Sequence, residues 1–240
     1  MKAMILAAGR GERMRPLTDH MPKPLLRVGG EPLIGWHLRQ LRAAGIQQIV
    51  INHAWLGAQL EAWLGNGRAY DVTIAWSREC VPLETAGGIA QALPLLGYEE
   101  PFLLINGDVF ANIDFNYLIS VATTLNATHR LAHLALVANP QHHQQGDFSL
   151  HNDMVLTPGN QLTYAGVAVY HPALFVSLAA QQPVPATPLL PVLLAAMQRH
   201  HVTGYPHRGY WFDVGTLDRL AEVEQFVSSG VGYESAYSGH

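Results

Sequence analysis

Hydrophobic residues in the first half of the chain follow two alternating patterns. Short continuous apolar runs, typical of strands buried on both faces, alternate with segments of helical periodicity. The predicted strands cover 2–6, 46–52, 72–76 and 102–106. The predicted helices cover 32–44, 57–64 and 87–96. This repetition indicates a mainly parallel sheet with helices on both faces, so the sequence predicts a Rossmann-like α/β fold.

The pattern becomes less regular after Asp108. The predicted elements are a helix over 114–125, a strand over 131–138, alternating segments over 148–156 and 162–170, and helices over 188–200 and 216–227. The alternating segments predict antiparallel strands added to the main sheet. We therefore expect one domain over 1–228, and a disordered tail over the Gly/Ser-rich residues 229–240.

Composition excludes several classes of protein. The chain is 49% hydrophobic and 13% charged, and its net charge of -4 provides no basic field for a nucleic acid or an anionic membrane. The longest apolar stretch, near 188–197, is shorter than the roughly 20 residues that cross a bilayer. A single cysteine, Cys80, favours a reducing cytoplasm. We expect a cytoplasmic monomer or small homo-oligomer without a nucleic-acid or membrane partner.

A cationic, glycine-containing loop follows the first predicted strand. Ligands of open parallel sheets bind beyond the carboxyl ends of the strands, where glycines such as Gly9 and Gly11 let backbone N–H groups approach phosphate. Arg13 can make a forked contact with phosphate, and Lys23 can supply a compact point charge. A Gly-x-Gly turn alone is common, but these flanking cations favour a phosphate site. The spacing matches neither the GxGxxG nor the P-loop motif.

Two carboxylates follow apolar runs in the same way. Asp108 comes after the predicted strand 102–106, and Asp213 comes after the apolar residues 210–212. Either aspartate alone could serve as a turn or helix-cap residue. Together with the cationic loop they favour a Mg²⁺–phosphate site, because Mg²⁺ is commonly held by one or two carboxylates plus substrate phosphates.

These motifs, in this order, resemble those of the sugar-1-phosphate nucleotidyltransferases. The resemblance extends over residues 1–228. It is carried by 8–16 (AGRGERMRP), 22–24 (PKP), 83–88 (LETAGG), 106–108 (NGD) and 211–215 (WFDVG). It implies the nucleotidyltransferase fold, with a smaller antiparallel sugar-binding portion, UTP and a sugar-1-phosphate as substrates, and Mg²⁺ as cofactor.

The resemblance also implies roles for individual residues. Arg13 would contact the outgoing pyrophosphate and Lys23 the reacting phosphates, as the catalytic residues, while Asp108 and Asp213 would hold Mg²⁺. The implied nucleotide-binding residues are Ala8, Gly9, Gly11, Glu12, Arg13, Lys23, Thr85, Gly87 and Gly88. The implied sugar-phosphate residues are Asn106, Gly146, Asp147, Tyr164 and Gly166.

The chain departs from the family pattern at two places. Position 12 is Glu where many relatives have Thr, and the Glu-Lys-Pro segment that often supplies a sugar-phosphate lysine is absent between 148 and 162. Because the only lysines are Lys2 and Lys23, another group must meet that phosphate. The candidates are Arg208, His142 and His143.

Within the family, segments 51–57 and 142–148 are most similar to the uridylyltransferase branch of cell-wall recycling, which acts on N-acetylmuramate-1-phosphate. Segment 83–88 also resembles the mannose-1-phosphate guanylyltransferases, which are a second hypothesis. A third is an inactive nucleotide-sugar sensor or assembly subunit, but the four charged residues assigned above to phosphate and metal argue against it. A glycosyltransferase is disfavoured because 108–110 (DVF) lacks the second aspartate of an Asp-x-Asp pattern.

Overall fold

The computed structural model describes residues 1–157 and 161–230. The predicted tail therefore lies outside the described residues from 231 onward. The strands are β1 (Ala3–Leu6), β2 (Arg27–Val28), β3 (Glu31–Pro32), β4 (Gln48–His53), β5 (Thr73–Arg78), β6 (Phe102–Asn106), β7 (Val109–Ala111), β8 (Ala132–Ala138), β9 (Ser149–His151), β10 (Met154–Leu156), β11 (Leu162–Tyr170), β12 (Val202–Pro206) and β13 (Trp211–Asp213). The α-helices are α1 (Leu17–His20), α2 (Leu33–Ala43), α3 (Gly57–Leu64), α4 (Glu84–Leu96), α5 (Phe115–Thr128), α6 (Val176–Ala179), α7 (Leu189–Met197) and α8 (Leu217–Ser228).

The main sheet has nine strands in the order β5-β4-β1-β6-β11-β8-β12-β10-β9. The first four strands are parallel, which confirms the strand–helix repetition predicted for the first half of the chain. Leu6, the last residue of β1, lies opposite both Asn52 of β4 and Asn106 of β6. Three strand ends therefore meet at one edge of the sheet, and the loops that follow them share one rim.

Strand β11 is antiparallel, as predicted for 162–170, but it is inserted between β6 and β8. Its pairing with β8 is irregular between Tyr164 and Ala168, where Gly166 has a φ of 73°. A Cβ at Gly166 would lie 2.7 Å from the Asn106 side chain. Glycine is required here because it allows the bulged strand to approach the rim of the parallel half.

Two features of the main sheet in the second half of the chain differ from the prediction. The single segment predicted at 148–156 is a hairpin of β9 and β10, because Asn152 and Asp153 both adopt positive φ and reverse the chain. Strand β12 was not predicted, since its five residues include a glycine and a proline. It pairs in parallel with β8.

The apolar faces of the helices cover both sides of the sheet. Helices α2, α3 and α5 pack on one face through residues such as Leu38 and Leu118, and α4 and α7 pack on the other through residues such as Ile89 and Leu193. A third cluster around Phe110 joins α8 to the β7–β13 pair. None of the helices within 1–157 and 161–230 has the length and apolar content needed to cross a membrane.

A buried histidine makes the stability of the sheet sensitive to acid. His133 of β8 lies 2.8 Å, through Nδ1, from the Thr203 hydroxyl of β12, and burial lowers its pKa from 6.5 to about 4. The unfolded chain therefore binds a proton at this histidine between pH 6.5 and pH 4 while the folded chain does not. We expect the free energy of unfolding to fall over this window by up to about 3 kcal/mol from His133.

Denaturant unfolding at pH 7 and pH 4.5 measures this effect. His133→Gln should lose less stability on acidification than the unsubstituted protein, whereas His151→Gln, at an exposed position, should behave like the unsubstituted protein. Equal pH dependence in all three proteins would contradict the assignment.

Candidate functional site

The loop after β1 is held by contacts within the chain. Gly11 has a φ of 65°, and its carbonyl accepts hydrogen bonds from the Met14 amide and from the Thr18 hydroxyl, each at 2.8 Å. The indole of Trp55 donates to the Thr18 carbonyl, and the Arg10 guanidinium lies 4.6 Å from the centre of the Trp55 ring. The loop is therefore fixed before any ligand arrives.

A cavity of about 530 Å³ opens beside this loop, at the carboxyl ends of the parallel strands. Seven of the nine predicted nucleotide-binding residues line it, which are Ala8, Gly9, Gly11, Glu12, Arg13, Lys23 and Thr85. Its opposite wall is formed by Asn52 and by four residues of the connection from β5 into α4, which are Glu79, Pro82, Glu84 and Thr85. The sequence motifs therefore converge on one concave surface of a size suited to a small molecule.

Gly87 and Gly88 lie behind this wall, in the first turns of α4. A Cβ at Gly87 would lie 2.6 Å from the Pro185 carbonyl, and a Cβ at Gly88 would lie 2.7 Å from Glu79 Oε1. Both glycines thus let neighbouring segments pack closely. Direct contact of either with a nucleotide base stays a prediction.

Lys23 and Asp108 form an ion pair inside the cavity, with 2.6 Å between Nζ and Oδ2. Lys23 begins a short 3-10 turn between two prolines, and its side chain is 10% exposed. Asp108 follows β6, so the pair joins the loop after β1 to the adjacent strand end. A buried ammonium is costly to desolvate unless it is paired, so Asp108 stabilises a cation that also lines the cavity.

Asp213 lies close to Asp108 because their strands pair. Strand β13 is antiparallel to β7, and the Val214 amide donates a 2.8 Å hydrogen bond to the Asp108 carbonyl. The Asp213 carboxylate forms an ion pair with Arg219, and its Oδ1 lies 3.1 Å from His142 Nε2. Its buried Oδ1 receives no well-directed hydrogen bond from the described residues. The negative charge of this oxygen is therefore balanced by the positive charge of Arg219 without a well-directed hydrogen bond from the part of the chain that the structure describes.

A second cavity of about 320 Å³ adjoins the first. Arg13, Asn106 and Asp108 line both cavities, so they stand where the two meet. The remaining predicted residues that line the second cavity are Asp213, Tyr164, Gly166, His142 and His143. Arg208 is exposed and lines neither cavity, so of the proposed replacements for the missing lysine the two histidines are better placed.

Gly146 and Asp147 support the second cavity from behind. Asp147 accepts a 2.8 Å hydrogen bond from the Tyr164 amide and lies 3.0 Å from His143 Nε2. Gly146 has a φ of 60° and packs against Asn139. These two residues hold the strand and the histidine that face the cavity, and direct contact with a sugar phosphate stays a prediction for them.

The carboxylates suit a Mg²⁺ ion. Asp108 and Asp213 both line the second cavity and offer hard oxygen ligands, and Asp213 Oδ1 lacks a well-directed donor. Within the described ranges, no group of three or more His, Cys, Asp or Glu side chains is arranged as a metal site. Two carboxylates completed by substrate phosphates are a common set of Mg²⁺ ligands, so the residues present fit that ion.

Sequence reasoning missed three residues at the site. Asn52 and Glu79 line the first cavity, and Arg219 pairs with Asp213. Trp211, which belongs to the motif 211–215, donates to the Ala165 carbonyl from the second cavity. Asn52 carried one usable signal, since it is a polar residue ending a buried strand. Arg219 carried none, because a charged residue on an amphipathic helix usually faces solvent.

Comparison with known proteins identifies the chain as a member of a class of nucleotide-transferring enzymes. Residues 2–230 match the nucleotidyl transferase family, and the chain belongs to that family. This confirms the family predicted from the motifs.

Individual relatives refine the comparison. The chain is 56% identical over 234 residues to the N-acetylmuramate alpha-1-phosphate uridylyltransferase of Neisseria meningitidis, covering 95% of this chain and 99% of that one. It is 30% identical to the mannose-1-phosphate guanyltransferase of Schizosaccharomyces pombe, covering 95% of this chain but 65% of that longer relative. A solved Bacillus anthracis structure, described as a putative glucose-1-phosphate thymidylyltransferase, matches with a TM-score of 0.84, 21% identity and 94% coverage of both chains. That structural match confirms the predicted fold.

Gly11→Ala tests whether the loop depends on its left-handed residue. Alanine at a φ of 65° is strained by about 1–2 kcal/mol, and its Cβ would lie 2.9 Å from Thr18 Cγ2. We expect the free energy of unfolding to fall by about 2 kcal/mol in denaturant titrations. Gly9→Ala is the matched control, because a Cβ there meets nothing within 4 Å and should leave stability unchanged. Equal stability of the two variants would show that Gly11 does not constrain the loop.

Proposed function

We propose that the protein transfers UMP from UTP to N-acetylmuramate-1-phosphate, giving UDP-N-acetylmuramate and pyrophosphate in peptidoglycan recycling. The observation that carries this proposal is the 56% identity to the Neisseria meningitidis uridylyltransferase over nearly the whole of both chains. The longer guanyltransferases match at lower identity, which makes GTP and mannose-1-phosphate the second candidate pair. The exposed single cysteine agrees with a reducing cytoplasm, where we place the reaction.

In the proposed reaction an oxygen of the sugar phosphate attacks the α-phosphorus of UTP. A new P–O bond forms, the bond from the α-phosphorus to the bridging oxygen breaks, and pyrophosphate leaves with the electron pair. The attacking phosphate is already anionic at neutral pH, so a general base would add little. The barrier consists mainly of repulsion between anions and of in-line alignment, which positioned cations and backbone donors reduce.

The chain supplies those cations around the two adjoining cavities. Lys23 lines the first cavity, and its ammonium would turn from Asp108 to the reacting phosphate oxygens. Arg13 lines both cavities, which suits a contact with the α-phosphate and the departing pyrophosphate. The nucleotide would occupy the first cavity and the sugar phosphate the second.

The two aspartates would complete the charge balance. Mg²⁺ held by Asp108 and Asp213 would neutralise phosphate charge and keep the reacting phosphates together. Arg219 and His142 would keep the Asp213 carboxylate oriented toward the second cavity. His142 and His143 would meet the sugar-phosphate end, in place of the lysine that the family pattern often supplies.

Pyrophosphate release from a panel of substrates tests the assignment. With Mg²⁺ present, we expect the highest kcat/KM for UTP with N-acetylmuramate-1-phosphate, among the four NTPs and the 1-phosphates of N-acetylmuramate, N-acetylglucosamine, glucose and mannose. A preference for GTP with mannose-1-phosphate would replace this proposal by the second candidate. Nucleotide binding without pyrophosphate release from any pair would favour a sensor instead.

Lys23→Ala tests the role of the buried cation. We expect kcat to fall by about 10²–10³-fold with the fold retained, because one preorganised charge facing the reacting phosphates is lost. Lys2→Ala is the matched control. Lys2 is the only other lysine, and its ammonium bonds the Leu95 carbonyl and lies outside both cavities. Steady-state kinetics and circular dichroism give the readouts, and a Lys23→Ala enzyme with near-normal kcat would remove Lys23 from the mechanism.

A further inference from the structure

Two polar side chains with no assigned role connect the walls of the first cavity. Asn52 lies near the end of the parallel strand β4, and Glu79 follows the neighbouring strand β5. They are 2% and 6% exposed, so both are buried. Burial of a carboxylate costs free energy unless hydrogen-bond donors surround it.

A continuous series of hydrogen bonds passes through the pair. The Ala7 amide donates to Asn52 Oδ1 at 2.9 Å, Asn52 Nδ2 donates to Glu79 Oε1 at 2.7 Å, and the Leu83 amide donates to Glu79 Oε2 at 2.9 Å. Ala7 begins the glycine-containing loop, and Leu83 leads into Thr85 on the opposite wall. Two side chains thus join backbone segments that are distant from each other in the sequence.

Each polar atom in this series can act either only as a donor or only as an acceptor. Asn52 Oδ1 must accept from Ala7, so Asn52 Nδ2 must donate toward position 79. Position 79 must therefore accept twice, and only a carboxylate accepts with both of its atoms. Glutamine would leave either Asn52 or the Leu83 amide facing a donor.

The surrounding residues preserve this arrangement. A Cβ at Gly88 would lie 2.7 Å from Glu79 Oε1 and 2.9 Å from Asn52 Nδ2, so glycine at 88 leaves space for their hydrogen bond. Burial raises the pKa of Glu79, while the Leu83 amide and the Asn52 amide oppose that rise. The two amide donors therefore stabilise the charged form that burial disfavours.

We propose that Asn52 and Glu79 are positioning residues. They fix the spacing between the two walls of the first cavity, which are the loop that begins at Ala7 and the segment that contains Leu83, and they thereby set the affinity of this cavity for the nucleotide. This inference rests on the proposed function to the extent that the first cavity takes UTP. The pair acts through the two backbone segments and leaves the reacting atoms to the cations of the site.

A double-mutant cycle separates this role from a general need for negative charge. Glu79→Gln leaves a buried donor facing a donor, and Asn52→Asp brings two carboxylates together. In the double variant N52D/E79Q, every hydrogen-bond donor of the series again faces an acceptor. Its carboxylate at position 52 can accept from the Ala7 amide and from the side-chain amide at position 79, whose oxygen in turn accepts from Leu83. The double variant also keeps the net charge of the pair.

Calorimetric titration with UTP and steady-state kinetics measure the cycle. We expect each single variant to weaken UTP binding by about tenfold or more, with the KM for the sugar phosphate changed less than about threefold, and the double variant to recover most of the loss. Glu61→Gln is the matched control, because Glu61 also accepts side-chain hydrogen bonds, from Arg78 and His53, but lines neither cavity. It should bind UTP as the unsubstituted protein does.

Amide hydrogen exchange on the free protein provides a readout that does not depend on the substrate. Exchange at Ala7 and Leu83 should accelerate in both single variants and slow again in N52D/E79Q. Failure of the double variant to recover UTP affinity and exchange protection, or unchanged values in the singles, would overturn the inference. If the unsubstituted protein binds no UTP while the exchange pattern holds, the proposed substrate fails and the coupling of the walls stands.

Discussion

The candidate site depends on the ion pair between Lys23 and Asp108. The ammonium is nearly buried and lies 2.6 Å from a carboxylate that follows the neighbouring strand. Without that carboxylate, the cost of desolvation would oppose keeping the cation beside the cavity. In the proposed reaction, phosphate replaces Asp108 as the partner of Lys23, and Asp108 becomes available to Mg²⁺. The free protein thus keeps both charges neutralised and in position.

Sheet topology determines which residues can meet at this site. Parallel pairing of β1, β4 and β6 places three loops at one edge, and the antiparallel β7–β13 pair adds Asp213 from a distant part of the chain. The bulge of β11 at Gly166 then forms the wall of the second cavity next to Asn106. Cations, carboxylates and a glycine-containing loop therefore adjoin two connected cavities, which is the arrangement that a reaction between two polyanions requires.

Much of this arrangement was predictable from the sequence, because parallel buried strands and glycine-containing loops leave strong local patterns. The alternation of apolar runs predicted the parallel half, and the motif residues that follow β1 do line one cavity. Strand β12 and the ion pair of Arg219 with Asp213 were not predictable. Both depend on tertiary neighbours that short-range periodicity does not encode. The placement of Gly87 and Gly88 behind the wall likewise follows from packing against distant segments.

A crystal structure with Mg²⁺ and a non-hydrolysable UTP analogue would test the central claim most directly. The account predicts that the Lys23 ammonium lies about 3 Å from a phosphate oxygen, at ordinary hydrogen-bond distance, with Arg13 facing the β- and γ-phosphates. It also predicts that Asp108 and Asp213 coordinate one Mg²⁺ ion. A complex in which Lys23 stays paired with Asp108, and the phosphates bind away from both side chains, would contradict it.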